Sequence, residues 1–454
     1  MEQGHPAVRT EEPTVSAPAG TAPAGTEPVG VPDRRAPTGR LGRGLLPLLG
    51  PAFVAAIAYV DPGNVAANVS AGSRYGYMLL WVLVAANLMA VLVQYQSARL
   101  GIVTGKSLPD LLGERLRRPA RLAYWGQAEV VAAATDVAEV IGGAIALQLL
   151  FDLPLVLGGV IVGVVSLGLL LVQGRGQRRF EAAVIALLAV ITVGFVAGLF
   201  VAPPAPGDVL GGLVPRFDGA DSVLLAASML GATVMPHAVY LHSALARDHH
   251  ARGQHAPDQH GRGVDATADH RRVRRLLGAT RWDVVGALAV AGVVNVALLL
   301  VAATTLRGVD GTDTIEGAHQ AIVDALGPGI GVVFALGLLA SGLASTSVGA
   351  YAGAVIMGGL LKVRVPLAVR RVVTLIPALV ILAAGAEPTW ALVVSQVVLS
   401  FGIAFALVPL LRLTGNSEVM GEFVDGPRMR VAGWTVAAAI VTLNLALLVL
   451  TVAG

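Results

Sequence analysis

The chain has 454 residues, 55% of them hydrophobic and only 13% charged, with a mean hydropathy of +0.73. A water-soluble fold of that composition would expose contiguous apolar surface and aggregate, so lipid is the solvent that fits. The net charge of +3 is too small to argue for nucleic acid, and the absence of cysteine excludes a disulfide framework and a thiolate metal site.

Residues 1–44 open with Pro, Ala, Gly, Thr and Glu, the composition of a disordered tail, and lack the early apolar core of a cleavable signal peptide. Eleven apolar runs follow, at 45–69, 76–98, 123–149, 155–173, 181–201, 221–246, 283–306, 329–358, 366–385, 389–411 and 431–452. Each has the length of a membrane-crossing helix. Spans 1–5 occupy 45–201, spans 6–10 occupy 202–411, and a linker with span 11 fills 412–454. Of the 32 basic residues, all but Arg74, Arg216 and Arg307 fall on the side of the N-terminal tail. The positive-inside rule makes that side cytoplasmic and, with an odd span count, puts the C-terminus outside. A multi-pass protein of the cell's inner membrane is expected.

Span 1 reads GPAFVAAIAYVDPGNVAANVS, with an acid at mid-membrane depth, where it costs about 2.5–3.5 kcal/mol. Pro62 lacks an N–H, so the carbonyl of Ala58 loses its helical partner, and Gly63 lets the chain leave helical geometry. Asp61, Asn64 and the Ala58 carbonyl then form an oxygen cluster. The alternative is a proline kink with a structural Asp. Span 3 carries Glu129, Asp136 and Glu139 at offsets of seven and ten, one helical stripe. Such a stripe is a protonatable path, a set of salt bridges to Arg370 and Arg371 at the start of span 9, or both at once.

Span 6 repeats the break: in SMLGATVMPHAVYLHSAL, Pro236 frees the carbonyl of Ala232, Gly231 loosens the same turn, and Met235 and His237 flank the proline. His237 and His242 are five residues apart, about 140° around a helix, and belong to different surroundings. Two broken spans five apart describe two halves of opposite direction with a site at the midplane between them. Oxygen donors alone suit magnesium or calcium. The Met235 thioether shifts the preference to manganese, iron, cobalt or cadmium. Between spans 6 and 7, the segment 247–281 holds His249, His250, His255, His260 and His270; it reads as a solvated connector, with a metal-sampling loop as the alternative. Gln396 in span 10 is a buried amide, either a ligand in one conformation or a helix–helix hydrogen bond.

DPGN at Asp61–Asn64, MPHAVYLHS at Met235–Ser243, ATDVAEVIGGA at Ala134–Ala144 and SQVVLSFGIAFALVPL at Ser395–Leu410 together resemble the Nramp divalent-metal transporters, specifically the bacterial proton-coupled manganese transporters, over roughly 45–450. The resemblance implies an all-α, leucine-transporter-like fold of two inverted five-helix repeats plus an eleventh span. It implies a metal held by Asp61, Asn64, Met235 and the carbonyls of Ala58 and Ala232, with Gln396 joining in some states. It implies proton movement through Asp61, His237, Asp136 and Glu139, with Arg370 and Arg371 in the network. Glu129 and His242 are further candidates for the proton pathway. The chain departs from the family pattern at Leu343, Ala344 and Gly358 in span 8 and in the long His/Arg segment.

The expected partners are divalent metal ions, protons and the bilayer, with no resident cofactor and no enzymatic activity. Two other carriers compete with this reading. A cation-coupled amino-acid symporter on the same fold would keep its broken-helix N-terminus free of acid to receive a carboxylate, which Asp61 opposes. An uncoupled metal channel or uniporter would share the metal site. An intramembrane metalloprotease would need His-Glu-x-x-His, a string that does not occur.

Overall fold

A computed structural model describes residues 1, 58–168, 199, 203–254, 266–312, 314–363 and 365–453. The N-terminal tail, the first half of span 1, nearly all of span 5 and the middle of the His/Arg segment, with His255 and His260, lie outside the described residues. A 3-10 turn at Ala58–Val60 leads into α1 (Pro62–Tyr75). There follow α2 (Leu80–Thr104), α3 (Leu108–Arg115), α4 (Arg118–Phe151) and α5 (Leu155–Gly168). The second half comprises α6 (Pro206–Gly212), α7 (Gly219–Thr233), α8 (Pro236–Gln254), α9 (Ala266–Thr305), α10 (Ile315–Leu326) and α11 (Pro328–Leu361). It closes with α12 (Leu367–Ala383), α13 (Pro388–Thr414), α14 (Ser417–Met420) and α15 (Pro427–Ala453). Among the described residues there is helix and no strand, and seven helices are long and apolar enough to cross a membrane.

Helix is the only open segment that satisfies its own backbone in lipid, and among the described residues it is interrupted within spans 1 and 6, as expected. Span 1 divides at Asp61, which is the N-cap of α1: its side chain accepts from the backbone N–H of Asn64, and Pro62 follows at the first helical position. Span 6 divides at Val234 and Met235, between the end of α7 and Pro236 at the start of α8.

The packing carries the repeat. A Cβ on Gly72 of α1 would lie 2.6 Å from the Leu299 carbonyl of α9, and one on Gly101 of α2 would lie 2.0 Å from the Ser243 carbonyl of α8. Spans 1 and 7 are therefore pressed together as spans 6 and 2 are, and replacing each span by its counterpart in the other half turns one pair into the other. Span 3 abuts the first break, because a Cβ on Gly142 would fall 2.1 Å from that of Pro62.

The segment between spans 6 and 7 differs from the expected connector. α8 continues to Gln254 and α9 begins at Ala266, so much of 247–281 is helical. Val273 and Leu277 explain the second extension: they bury against Ala98, Ile102 and Ala246, with Phe423 beside them, and an amphipathic stripe with a partner remains helical past the membrane.

Candidate functional site at the two helix breaks

The N-terminus of α1 explains why an acid sits in mid-membrane. A half-helix begins with unsatisfied N–H groups and a partial positive charge, and Asp61 answers both. Its Oδ1 accepts from the Asn64 backbone N–H at 2.8 Å and from Asn64 Nδ2 at 2.8 Å. Asn64 Nδ2 also donates to the Ala232 carbonyl at 2.9 Å, which ties the break in span 1 to the break in span 6. Asp61, Asn64, Ala232, Met235 and Gln396 are all buried. Asp61 Oδ2, Asn64 Oδ1 and Gln396 Oε1 have no hydrogen-bond partner. Three buried oxygens without partners in one place are costly unless a cation takes them. Ala58 opens the 3-10 turn before Asp61.

Span 10 closes this centre. A Cβ on Gly63 would fall 1.8 Å from Gln396 Nε2, and one on Gly231 would fall 1.9 Å from the Gln396 carbonyl. Each break carries a glycine because α13 lies on both. Gly63 meets the movable end of a side chain, whereas Gly231 meets backbone. Gly231→Ala is therefore expected to cost about 1–3 kcal/mol through overpacking and to displace Gln396, lowering both the unfolding temperature in detergent and uptake. Wild-type values for both would show that α13 yields at that contact.

A set of polar groups that the sequence reading passed over surrounds the breaks. Asn295 Nδ2 of α9 donates to the Tyr59 carbonyl at 3.0 Å, and Ser341 of α11 donates to the Val60 carbonyl. Gln94 of α2 donates to the Tyr59 hydroxyl and bonds His242 Nδ1 at 2.8 Å. The carbonyls exposed by the break are thus held by neighbouring helices, as irregular backbone in a membrane requires. Their signal was present: Asn295 is an isolated amide in the apolar run AGVVNVALLL, and Gln94 opens the polar cluster QYQSAR at the end of an apolar run.

The acids of span 3 divide. Arg371 is buried and holds both Asp136 and Glu139, the latter at 3.2 Å; it also donates to Ser166 and Thr346 hydroxyls at 3.2 Å each. Glu129 pairs instead with Arg370 at 3.2 Å. Arg370 lies over Gly353, where a Cβ would collide with its guanidinium. His237 faces Thr135 Oγ1 at 3.4 Å and lines one small cavity with Asp136, Arg370 and Arg371. His242, bonded to Gln94, is not among that cavity's lining residues. Among the described residues no group of three or more His, Asp or Glu could hold a metal ion. Gly358, where span 8 departs from the family pattern, has open space around a Cβ.

An all-helical membrane protein with two half-helix breaks joined across one buried polar centre has the architecture of the inverted-repeat transporters. The chain belongs to the Nramp family: the profile described as Natural resistance-associated macrophage protein-like matches residues 52–450. It is 62% identical over 408 residues to a protein of Mycobacterium tuberculosis called Divalent metal cation transporter MntH, covering 90% of this chain and 92% of that one. A Bacillus subtilis protein of the same name is 46% identical over 410 residues, with 90% and 93% coverage. Among solved structures, the Eremococcus coleocola manganese transporter bound to an aromatic bis-isothiourea compound matches with a TM-score of 0.76 and 31% identity, covering 90% of this chain and 88% of that one. MhsT, solved in complex with L-phenylalanine, matches with a TM-score of 0.57 at 12% identity, over 89% of this chain and 98% of that one, and shares the fold alone.

Proposed function

We propose that the chain imports divalent transition metal ions, chiefly Mn2+ with Fe2+, Co2+ and Cd2+ as further substrates, coupled to protons and working by alternating access. The observation that carries this reading is the trio of unpartnered oxygens on Asp61, Asn64 and Gln396, with Asn64 bonded to the Ala232 carbonyl and Met235 buried in the same break. One carboxylate with neutral donors binds a divalent ion reversibly, as a carrier needs. Coupling rests on the second network: one guanidinium, Arg371, faces two carboxylates, which leaves one charge for a proton to neutralise. Asp61, His237, Asp136 and Glu139 are its proton carriers, with Glu129, His242, Arg370 and Arg371 supporting them.

The amino-acid symporter reading is disfavoured because the Asp61 carboxylate already occupies the N-terminus of α1, where a substrate carboxylate would bind. Mn2+ uptake into proteoliposomes, with and without an inward proton gradient, tests the proposal. Acceleration by the gradient, with acidification of the lumen, is expected. Uptake indifferent to the gradient would make the chain an uncoupled uniporter.

The membrane arrangement proposed with this function is eleven spans in the inner membrane, N-terminus cytoplasmic and C-terminus external, from the arginine bias. A protease-protection assay that finds tags at both ends on one side would overturn the count.

Met235→Ala is expected to keep much of the Mn2+ transport while admitting Ca2+ or Mg2+, because removing the soft donor leaves an all-oxygen site. Competition of each ion against Mn2+ uptake measures it. A variant that still excludes Ca2+ would remove Met235 as the selectivity determinant.

A further inference from the structure

The extension of α9 beyond the membrane carries a feature that the transport site does not use. Residues 271–282 read RRVRRLLGATRW. Val273 and Leu277 dock one face of this segment onto Ala98, Ile102 and Ala246. On the other face Arg271, Arg274, Arg275 and Arg281 are exposed, and Trp282 is 75% exposed.

Residues spaced by four, seven or eleven share a helical face. Arg271, Arg275, Trp282, Gly286, Val290 and Val293 follow that spacing, and all are exposed. Val290 and Val293, 49% and 54% exposed, sit within the apolar span, where only lipid covers an exposed valine. The lipid-facing stripe of span 7 therefore runs straight into an arginine stripe, with a tryptophan at the junction. Tryptophan favours the membrane–water interface. At 1.5 Å per residue, Arg275 lies about 10 Å along the axis beyond Trp282, about one Debye length at physiological salt. Of the acids nearby, Glu422 holds His270 and is 3.7 Å from Arg274, and Asp283 is half-buried at the junction.

We propose that this arginine stripe docks the anionic phospholipid headgroups of the leaflet from which α9 emerges. Charge complementarity selects the occupant. Guanidinium groups bind phosphate oxygens in a forked, two-point geometry, and clustered arginines just outside a span bind acidic leaflets. The stripe sits on the helix that packs against α1, so headgroups bound there fix the edge of the wall behind the first break. The inference depends on the membrane placement of span 7 and is independent of which ion is carried.

The chain has no cysteine, and Gly278 lies on the stripe where a Cβ would meet no atom within 4 Å. Gly278→Cys therefore accepts a single polarity-sensitive fluorophore in the full-length protein. In phosphatidylcholine vesicles of rising phosphatidylglycerol content, the label is expected to shift to the blue and saturate, and salt should weaken the response. Arg275→Gln and Arg281→Gln should each raise the phosphatidylglycerol needed by about fivefold, while the Arg→Lys variants keep most of the response. Metal uptake in pure phosphatidylcholine should be unaffected and reports that the variants fold. Inorganic phosphate added to phosphatidylcholine vesicles should give no shift; an equal shift with phosphate would identify a free-anion site and overturn the lipid assignment. A wild-type response that salt leaves unchanged, or that the Gln variants reproduce, overturns the proposal.

Discussion

Asp61→Asn is expected to abolish Mn2+ uptake, by on the order of a hundredfold or more, while the protein still folds and inserts. The structure explains both halves of that result. Asparagine is as good an N-cap as aspartate, and its Oδ1 can accept from the Asn64 backbone and side-chain N–H groups as the Asp61 Oδ1 does. A neutral amide is also easier to accommodate in the membrane than a carboxylate. What disappears is the only negative charge in either break, and with it the proton that metal binding would release. Uptake by the reconstituted variant, beside its melting curve in detergent, is the measurement. Retained, pH-dependent uptake would mean that another group supplies the charge.

Arg371→Leu is expected to be the most destabilising single change in the polar networks, by about 3–5 kcal/mol. Arg371 is 1% exposed in its side chain and is the shared cation of Asp136 and Glu139; without it two carboxylates face each other inside the membrane. The thermal midpoint and the yield of monodisperse protein report the loss. Asp136→Asn separates the structural from the functional part. It leaves Arg371 and Glu139 as a one-to-one pair, so the fold and Mn2+ binding should survive while proton flux falls or changes its pH dependence. Loss of Mn2+ binding as complete as in Asp61→Asn would move Asp136 into the metal site, and an Arg371→Leu variant as stable as wild type would mean that water or lipid phosphate reaches the trio.

The membrane class and the two breaks were legible in the sequence because each has a local cause. An apolar run longer than a bilayer is thick has no other stable solvent, and a proline in the interior of a span deprives the carbonyl four residues back of its helical partner. Pro62 and Pro236 therefore announce their consequences without knowledge of any neighbour. The stripe of Glu129, Asp136 and Glu139 was legible for the same reason: helical periodicity is a property of one segment.

Which arginine each acid takes was not legible, because Arg370 and Arg371 are adjacent in the chain and only the rotation of α12 against α4 assigns Glu129 to one and Asp136 with Glu139 to the other. The same holds for Gly63 and Gly231, which read as loosened turns until α13 is seen lying on both. It holds for Asn295, Ser341 and Gln94, whose value comes from the carbonyls and hydroxyl they reach on another helix. The helical extension of α9 depended on a surface made by Ala98, Ile102 and Phe423, far away in the chain. By itself the sequence determined where this backbone must leave its own hydrogen-bond ladder, because sterics and periodicity act within a few residues. Only the tertiary structure decided which groups meet it there, because a buried polar atom is satisfied by what is near in space and not by what is near in the chain.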